Sequence, residues 1–312
     1  LPPVDDDQLG LLFLTCHPHL PAEARVALAL KLVGGFSVGE IARAFLAQES
    51  AIAQRLVRAK RTLRDQDIGF GMPAPRDLSS RLDSVLDSLY LMFNEGYAAT
   101  SGDSLVRDEV AGEAIRLVSL VTSHPATGTP KAWALLALML LHAARFPARV
   151  DSDGTLFLLR EQDRSRWDRS AMAAGMRALE RAATGDRVTA FHLEAGMAAC
   201  HAVAPSWNAT DWSQIVQLYD ELLALTGSPV VAMNRAVAVS RLDGPLQGLA
   251  ELDGMAGRAT LERYPLLPAV RAELWREAGD LERAADCYRE ALTLARSAPE
   301  QRWLRSRLTH LV

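Results

Sequence analysis

The sequence predicts an all-α protein, and three observations carry that reading. Apolar residues recur at helical spacing along nearly the whole chain, strand-like alternation is confined to one short stretch, and the 20 glycines and 15 prolines fall mostly between helical segments.

In chain order, helices are expected over Asp7–Cys16, Pro21–Val33, Val38–Phe45 and Glu49–Asp65. Pro18 and Pro21 interrupt the first pair and Gly34-Gly35 ends the second helix. Ser37 and Glu40 stand three apart, so that each side chain can cap the other's backbone at the start of the third helix. The stretch 68–79 concentrates Gly and Pro without periodicity and is read as a linker between a domain over 1–67 and a second over 80–312.

Beyond Arg81, breaks at Thr127–Pro130, Asp151–Gly154, Gly185-Asp186, Pro205, Gly227–Pro229, Asp243–Pro245 and Gly279-Asp280 divide the chain into helix pairs. Two pairs carry a repeat signature. Leu274–Leu292 sets Ala278, Ala284, Ala285, Ala291 and the aromatic Tyr288 where tetratricopeptide-type hairpins need close helix approach, and Asn234–Leu252 is a looser copy. Val188–Ala204 with Trp212–Leu225, and Lys131–Phe146 with Trp167–Ala183, read as degenerate hairpins of the same kind, so a tetratricopeptide-like array of irregular spacing is expected. One small β-hairpin is expected over Arg149–Leu159, on an Asp153-Gly154 turn. The same loop lacks the ligands and flanking helices of an EF-hand.

Of the 312 residues, 49% are apolar and 23% charged, which excludes a disordered or low-complexity chain. The longest apolar run, Ala132–Ala144, falls short of the roughly 20 residues that cross a bilayer, and Leu1–Asp5 shows no export signal. Cys16, Cys200 and Cys287 are odd in number and far apart, which argues for a reducing compartment, the cytoplasm. The net charge of −4 lacks the excess common in nucleic-acid binders, but it is unevenly spread: 8 basic and 8 acidic residues over Leu1–Phe70, 26 against 30 beyond.

Ser37 to Arg64 is the most informative segment. Val38, Ile41, Ala42 and Phe45 form one apolar stripe, Leu46-Ala47-Gln48 a tight turn, and Ile52, Leu56, Ala59 and Leu63 a second stripe. Two short amphipathic helices so joined make a helix-turn-helix, whose second helix fits a major groove about 12 Å wide. Between Glu49 and Arg64 five basic residues (Arg55, Arg58, Lys60, Arg61, Arg64) face one acid. Ser50, Ala51, Gln54, Arg55 and Arg58 lie near the helix N-terminus, where side chains meet base edges; Lys60, Arg61 and Arg64 lie further along, where phosphates are the partners.

At this point the residues match a known family. Pro21–Leu32, Phe36–Phe45 and Ala51–Arg64 resemble region 4 of the extracytoplasmic-function (ECF) sigma factors of bacterial RNA polymerase, in the sigma-70 superfamily. Tyr90–Tyr97, Asp108–Leu117, Leu138–Arg145 and Glu161–Asp168 resemble the subgroup with a long C-terminal tetratricopeptide-like extension. The resemblance implies that the second helix reads the promoter −35 element through Glu49, Ser50, Ala51, Gln54, Arg55 and Arg58, that the domain docks on the β-flap of core polymerase, and that the extension regulates it. It also implies a region 2, which nothing before Leu1 supplies, so a fragment is expected.

Other candidates are weaker. Cys16-His17-Pro18-His19 lacks the second cluster that a zinc site needs, and Cys16 packed at a helix end is the preferred reading. No nucleophile elbow or Gly-rich phosphate loop marks an enzyme, and no metal or cofactor is expected. Phe93–Tyr97, with Asn94, Glu95 and Tyr97, and Asp163–Arg169, with Arg164, Arg166 and Trp167, fit either a buried network or a contact surface for a ligand or polymerase. The array itself suits a protein or peptide ligand. The rival reading is a helical-repeat adaptor whose helix-turn-helix serves only packing.

Overall fold

A computed structural model describes residues 6–45, 47–97, 104–149, 157–257, 261, 264–295 and 298–311. These are all-α, with no strand among them. The chain divides into two compact units, residues 1–143 with 180–184, and residues 144–179 with 185–312.

The first unit begins with α1 (Asp6–Thr15), α2 (Ala22–Leu32), α3 (Val38–Ala44) and α4 (Glu49–Asp65). Both halves of the α3 capping box form: Ser37 Oγ accepts from the Glu40 amide at 3.1 Å, and Glu40 Oε2 accepts from the Ser37 amide at 2.7 Å. Those hydrogen bonds hold the Glu40 carboxyl below its ordinary range. The expected stripe of α4 is buried, with Ile52, Leu56, Ala59 and Leu63 all below a tenth exposed. Each of its larger side chains contributes about 1.5–3 kcal/mol relative to exposure.

The unit does not end at the expected linker. The segment 68–79 is helical from Pro75, where α5 (Pro75–Tyr97) starts, and α5 packs back on α1 and α2. Leu82, Val85, Leu86, Leu89, Met92 and Phe93 are buried along it. Arg81 Nη2 donates to the Phe13 carbonyl at 2.8 Å, and Arg25 Nη1 donates to Ser84 Oγ at 2.8 Å. Before α5, Gly71 runs so close to α1 that a β-carbon on Gly10 would lie 2.9 Å from the Gly71 Cα. The composition that suggested a loose tether therefore serves a close backbone contact. Then α6 (Ser104–Ser123) packs on α5 and α3, and α7 (Pro130–Ala143) on α5 and α6.

The second unit opens with the short α8 (Phe146–Arg149) and two 3₁₀ turns, Leu159–Glu161 and Arg164–Arg166; α9 (Arg169–Ala182) follows and belongs to it up to Leu179. The hairpin expected over Arg149–Leu159 falls mainly on 150–156, which lie outside the described residues; Leu159 belongs to a 3₁₀ turn. Seven helices follow: α10 (Ala190–Val203), α11 (Trp212–Thr226), α12 (Pro229–Asp243), α13 (Pro245–Gly254), α14 (Leu266–Glu277), α15 (Leu281–Leu294) and α16 (Ala298–Thr309). Each packs on its chain neighbour, and α12 also meets α14.

The core of these helices is a series of small clusters. Leu193, Met197, Cys200, Ile215, Leu222 and Ala238 form one, Met233, Ala236, Leu249, Leu252, Leu267 and Leu274 another, and Ala272, Ala284, Tyr288, Ala291 and Leu304 a third. Gly248 shows why small residues mark the α12–α13 pair: a β-carbon there would lie 2.5 Å from the Ser240 Cβ and 2.9 Å from the Ala236 carbonyl oxygen.

Residues 157–167 act as a strap. Arg160 pairs with Glu273 and donates to Glu277 Oε1 at 2.6 Å in α14, Glu161 pairs with Arg307 in α16, and Arg164 Nη1 donates to the His201 and Ala204 carbonyls at 2.6 and 2.8 Å at the end of α10. Glu273 is 9% exposed and also accepts from the Tyr288 hydroxyl and Arg276. Burial pushes its carboxyl up, but Tyr288 and the arginines outweigh that and hold it below the ordinary range.

Candidate nucleic-acid interface

α3 and α4 pack on one another and on α2. The backbone between them turns at Ala47, whose amide donates to the Ala42 carbonyl at 2.9 Å, and at Gln48, whose extended conformation starts α4. Leu46 lies outside the described residues. α4 follows the boundaries expected of the recognition helix, Glu49–Asp65.

With one stripe of α4 buried, helical periodicity fixes the rest. Directly opposite the stripe stand Ser50, Gln54, Val57 and Arg61, all exposed, with Ala53 and Arg58 beside them. Val57 is 67% exposed. Val57 is not among the residues that the sequence leads one to expect at DNA, although its place seven residues after Ser50 is legible there. An apolar side chain on that pole has one matching feature in a major groove, the thymine methyl.

The remaining expected DNA-facing residues spread over two flanks. Ala51 and Arg55 turn toward α2, and Arg55 Nη2 forms an ion pair with Glu23 Oε2 at 2.7 Å. Glu49 lies over α3, where a β-carbon on Gly39 would come 2.9 Å from its Oε1. Lys60 and Arg64 are exposed on that same side, and Arg64 Nε stands 3.7 Å from Asp65. Arg61 Nε donates to Asp65 Oδ2 at 3.2 Å, one turn on. Between α2 and α4 runs a groove of about 660 Å³, lined by Pro21–Ala24 and by Ala51, Gln54, Arg55, Arg58, Ala59 and Thr62. Glu23 gave no signal in the sequence, because its pairing depends on how two helices cross.

Of the two aromatic and charged segments, one belongs to each unit. Tyr97 stacks on Phe93 at 5.6 Å and meets His142 edge-on at 5.1 Å; Asn94 and Glu95 are half-buried beside them. In the second unit Trp167 is 4% exposed with the Arg164 guanidinium 4.6 Å over its ring, and Arg166 is exposed. His201 stacks on Trp207 and meets Trp212 edge-on; burial, with Arg145 and Arg164 nearby, pushes its pKa down to about 4.

At the end of α1, Cys16 is fully buried and its thiol is pushed up to about 11 by burial. His17 is pushed down to about 4 by burial, Arg81 and His19, and its Nδ1 accepts from the His19 amide at 3.2 Å. No group of three or more His, Cys, Asp or Glu among the described residues could hold a metal ion. No described helix is long and apolar enough to cross a membrane.

Comparison with known proteins agrees with this geometry. Residues 10–63 match the family "Sigma-70, region 4", which spans α2, α3 and most of α1 and α4. Residues 81–183 match a family of unknown function, DUF6596. An uncharacterized protein of Rhizobium meliloti (strain 1021), R00370, is 39% identical over 307 residues, which cover 98% of this chain and 72% of that protein. Residues 10–63 are thus similar to sigma-70 region 4, and the chain as a whole belongs to the same family as Rhizobium meliloti R00370.

Proposed function

We propose that this chain works as an ECF-type sigma factor: α4 reads the −35 element of a promoter, the region 4 helices bind core RNA polymerase at the β-flap, and the helices after α5 form a tetratricopeptide-like domain that regulates both. The observation that carries the reading is α4 itself. It buries one stripe and presents Ser50, Gln54, Val57, Arg58 and Arg61 to solvent within a matched region 4. Its work is recognition and positioning in the cytoplasm, with no catalytic step and no cofactor. The chain-neighbour packing of α10 to α16 supports the repeat reading and suits a protein or peptide ligand.

The test is core-polymerase binding and promoter-directed transcription by the chain joined to a sigma region 2, with and without Arg58→Ala. Transcription from a subset of promoters, weakened by about 1–3 kcal/mol in DNA affinity when Arg58 reads a guanine, is the expected result. Polymerase binding without activity on any promoter, and no DNA affinity, would instead favour a helical-repeat adaptor whose helix-turn-helix serves only packing.

A further inference from the structure

The pair that joins α4 to α2 assigns roles to both of its members. Arg55 forms its ion pair with another helix, while Arg61 and Arg64 pair with Asp65 in α4 itself. The Arg55 side chain is 30% exposed against 74% and 78% for Arg61 and Arg64, and it lies on the flank of α4, away from the pole that enters a groove. A guanidinium so placed faces the strand that borders the major groove rather than the base edges on its floor. The groove of about 660 Å³ beside it sets Arg55 with Thr62 on that flank, a guanidinium and a hydroxyl, while Gln54 and Arg58 line its edge nearest the pole. That donor set suits the non-bridging oxygens of a phosphodiester. Glu23, with a side chain 67% exposed, is the acid in that lining.

We infer that Glu23 is a built-in competitor of the DNA backbone: its carboxylate occupies at Arg55 the place that a phosphate takes in the complex, and binding exchanges one anion for the other. This rests on the reading of α4 as a DNA-recognition helix. Arg55 is then a phosphate contact, not a base reader, and Glu23 lowers affinity for every sequence alike. The relative weight of the base contacts made by the exposed pole of α4 rises accordingly, because a sequence-independent contact is partly cancelled before DNA arrives. Both states keep Arg55 paired, which also spares the free protein an unsatisfied, partly buried guanidinium.

The experiment is a double-mutant cycle on the full chain with Glu23→Gln, Arg55→Ala and both together. Affinity is read by fluorescence anisotropy against duplexes selected by the wild-type chain from a random pool, and against unselected duplexes, over a range of salt. Glu23→Gln is expected to tighten binding by roughly two- to fivefold on both duplex classes, the range that an exposed ion pair is worth. Arg55→Ala is expected to weaken both classes by one common factor and to reduce the salt slope by about 0.9. In the Arg55→Ala background the Glu23→Gln gain is expected to vanish.

Weaker binding by Glu23→Gln, an Arg55→Ala loss confined to selected duplexes, or a Glu23→Gln gain that persists without Arg55 would each overturn the inference. Should the wild-type chain, with its thermal transition intact, bind no duplex at any salt, the DNA reading itself fails and takes the inference with it. Selected duplexes bound well by all four proteins with equal affinity would leave the DNA reading standing and remove Glu23 and Arg55 from it.

Discussion

Ser84 Oγ, on α5, donates a 2.6 Å hydrogen bond to the main-chain carbonyl of Cys16 just past the end of α1, and both residues are buried. The free carbonyl at that helix end is thus satisfied by a residue outside the region 4 match, so α5 completes the packing of the helices that precede it. Ser84→Ala is expected to lower stability by about 1–3 kcal/mol in urea with an unchanged m-value, since it strands that carbonyl and removes one acceptor of Arg25. A fragment ending at Asp67 should lack a cooperative transition; a sharp one would show that α5 is dispensable.

Val57 is expected to matter for DNA and not for folding. Val57→Glu should reduce affinity for selected duplexes at least about tenfold by setting a carboxylate against base-edge acceptors and phosphates. Its melting temperature should hardly move, because the site is 67% exposed and surface changes stay within about ±0.5 kcal/mol. Unaltered affinity would place the groove-facing pole elsewhere on α4.

His17 and His201 make acid costly to the folded chain. Both are held neutral by burial, with folded pKa values pushed down to about 4 from an ordinary 6.5. Between those values the unfolded chain binds protons that the folded chain refuses, so the stability they confer is present above pH 6.5 and drains away as pH falls toward 4. Urea midpoints measured from pH 7.5 down to 4.5 should fall for the wild type and fall less steeply for His17→Gln. Parallel curves would show that His17 is not the group responsible.

Gly248→Ala is expected to destabilise the chain by about 1–3 kcal/mol, because its β-carbon would meet the Ser240 Cβ and the Ala236 carbonyl and push α13 off α12. A thermal or urea transition matching the wild type would mean that the two helices can part at no cost. Gly254, near the end of the same helix, has open space at its β-carbon, so Gly254→Ala serves as the control.

The parts of this architecture that were legible in the sequence are local ones. The α4 boundaries, the Ser37–Glu40 box and the Ile52–Leu63 stripe each follow from residues a few positions apart, and the structure places them as read. The 68–79 segment shows the opposite case. Its Gly and Pro content signals a break in periodicity, but not that Gly71 would be pressed against Gly10 or that α5 would fold back on α1. Glu23 belongs to the same class: the whole of α3 separates it from Arg55 in the sequence, and only the crossing of α2 and α4 makes them partners. Local codes were readable; tertiary neighbours were not.

The strap at 157–167 changes how a stack of helix pairs would assemble. In an array whose members touch only their neighbours, order can start at any pair and spread along the chain. Here Glu161 meets Arg307 across 146 positions and Arg160 meets Glu273 across 113, so the far end must be in place before the near end can close. Such long loops raise contact order and slow folding, since closure entropy is lost before the contacts form. In return, α14 and α16 cannot fray without breaking ties to residues that precede α9. A column that could have melted pair by pair is thereby converted into a closed circuit that opens as one.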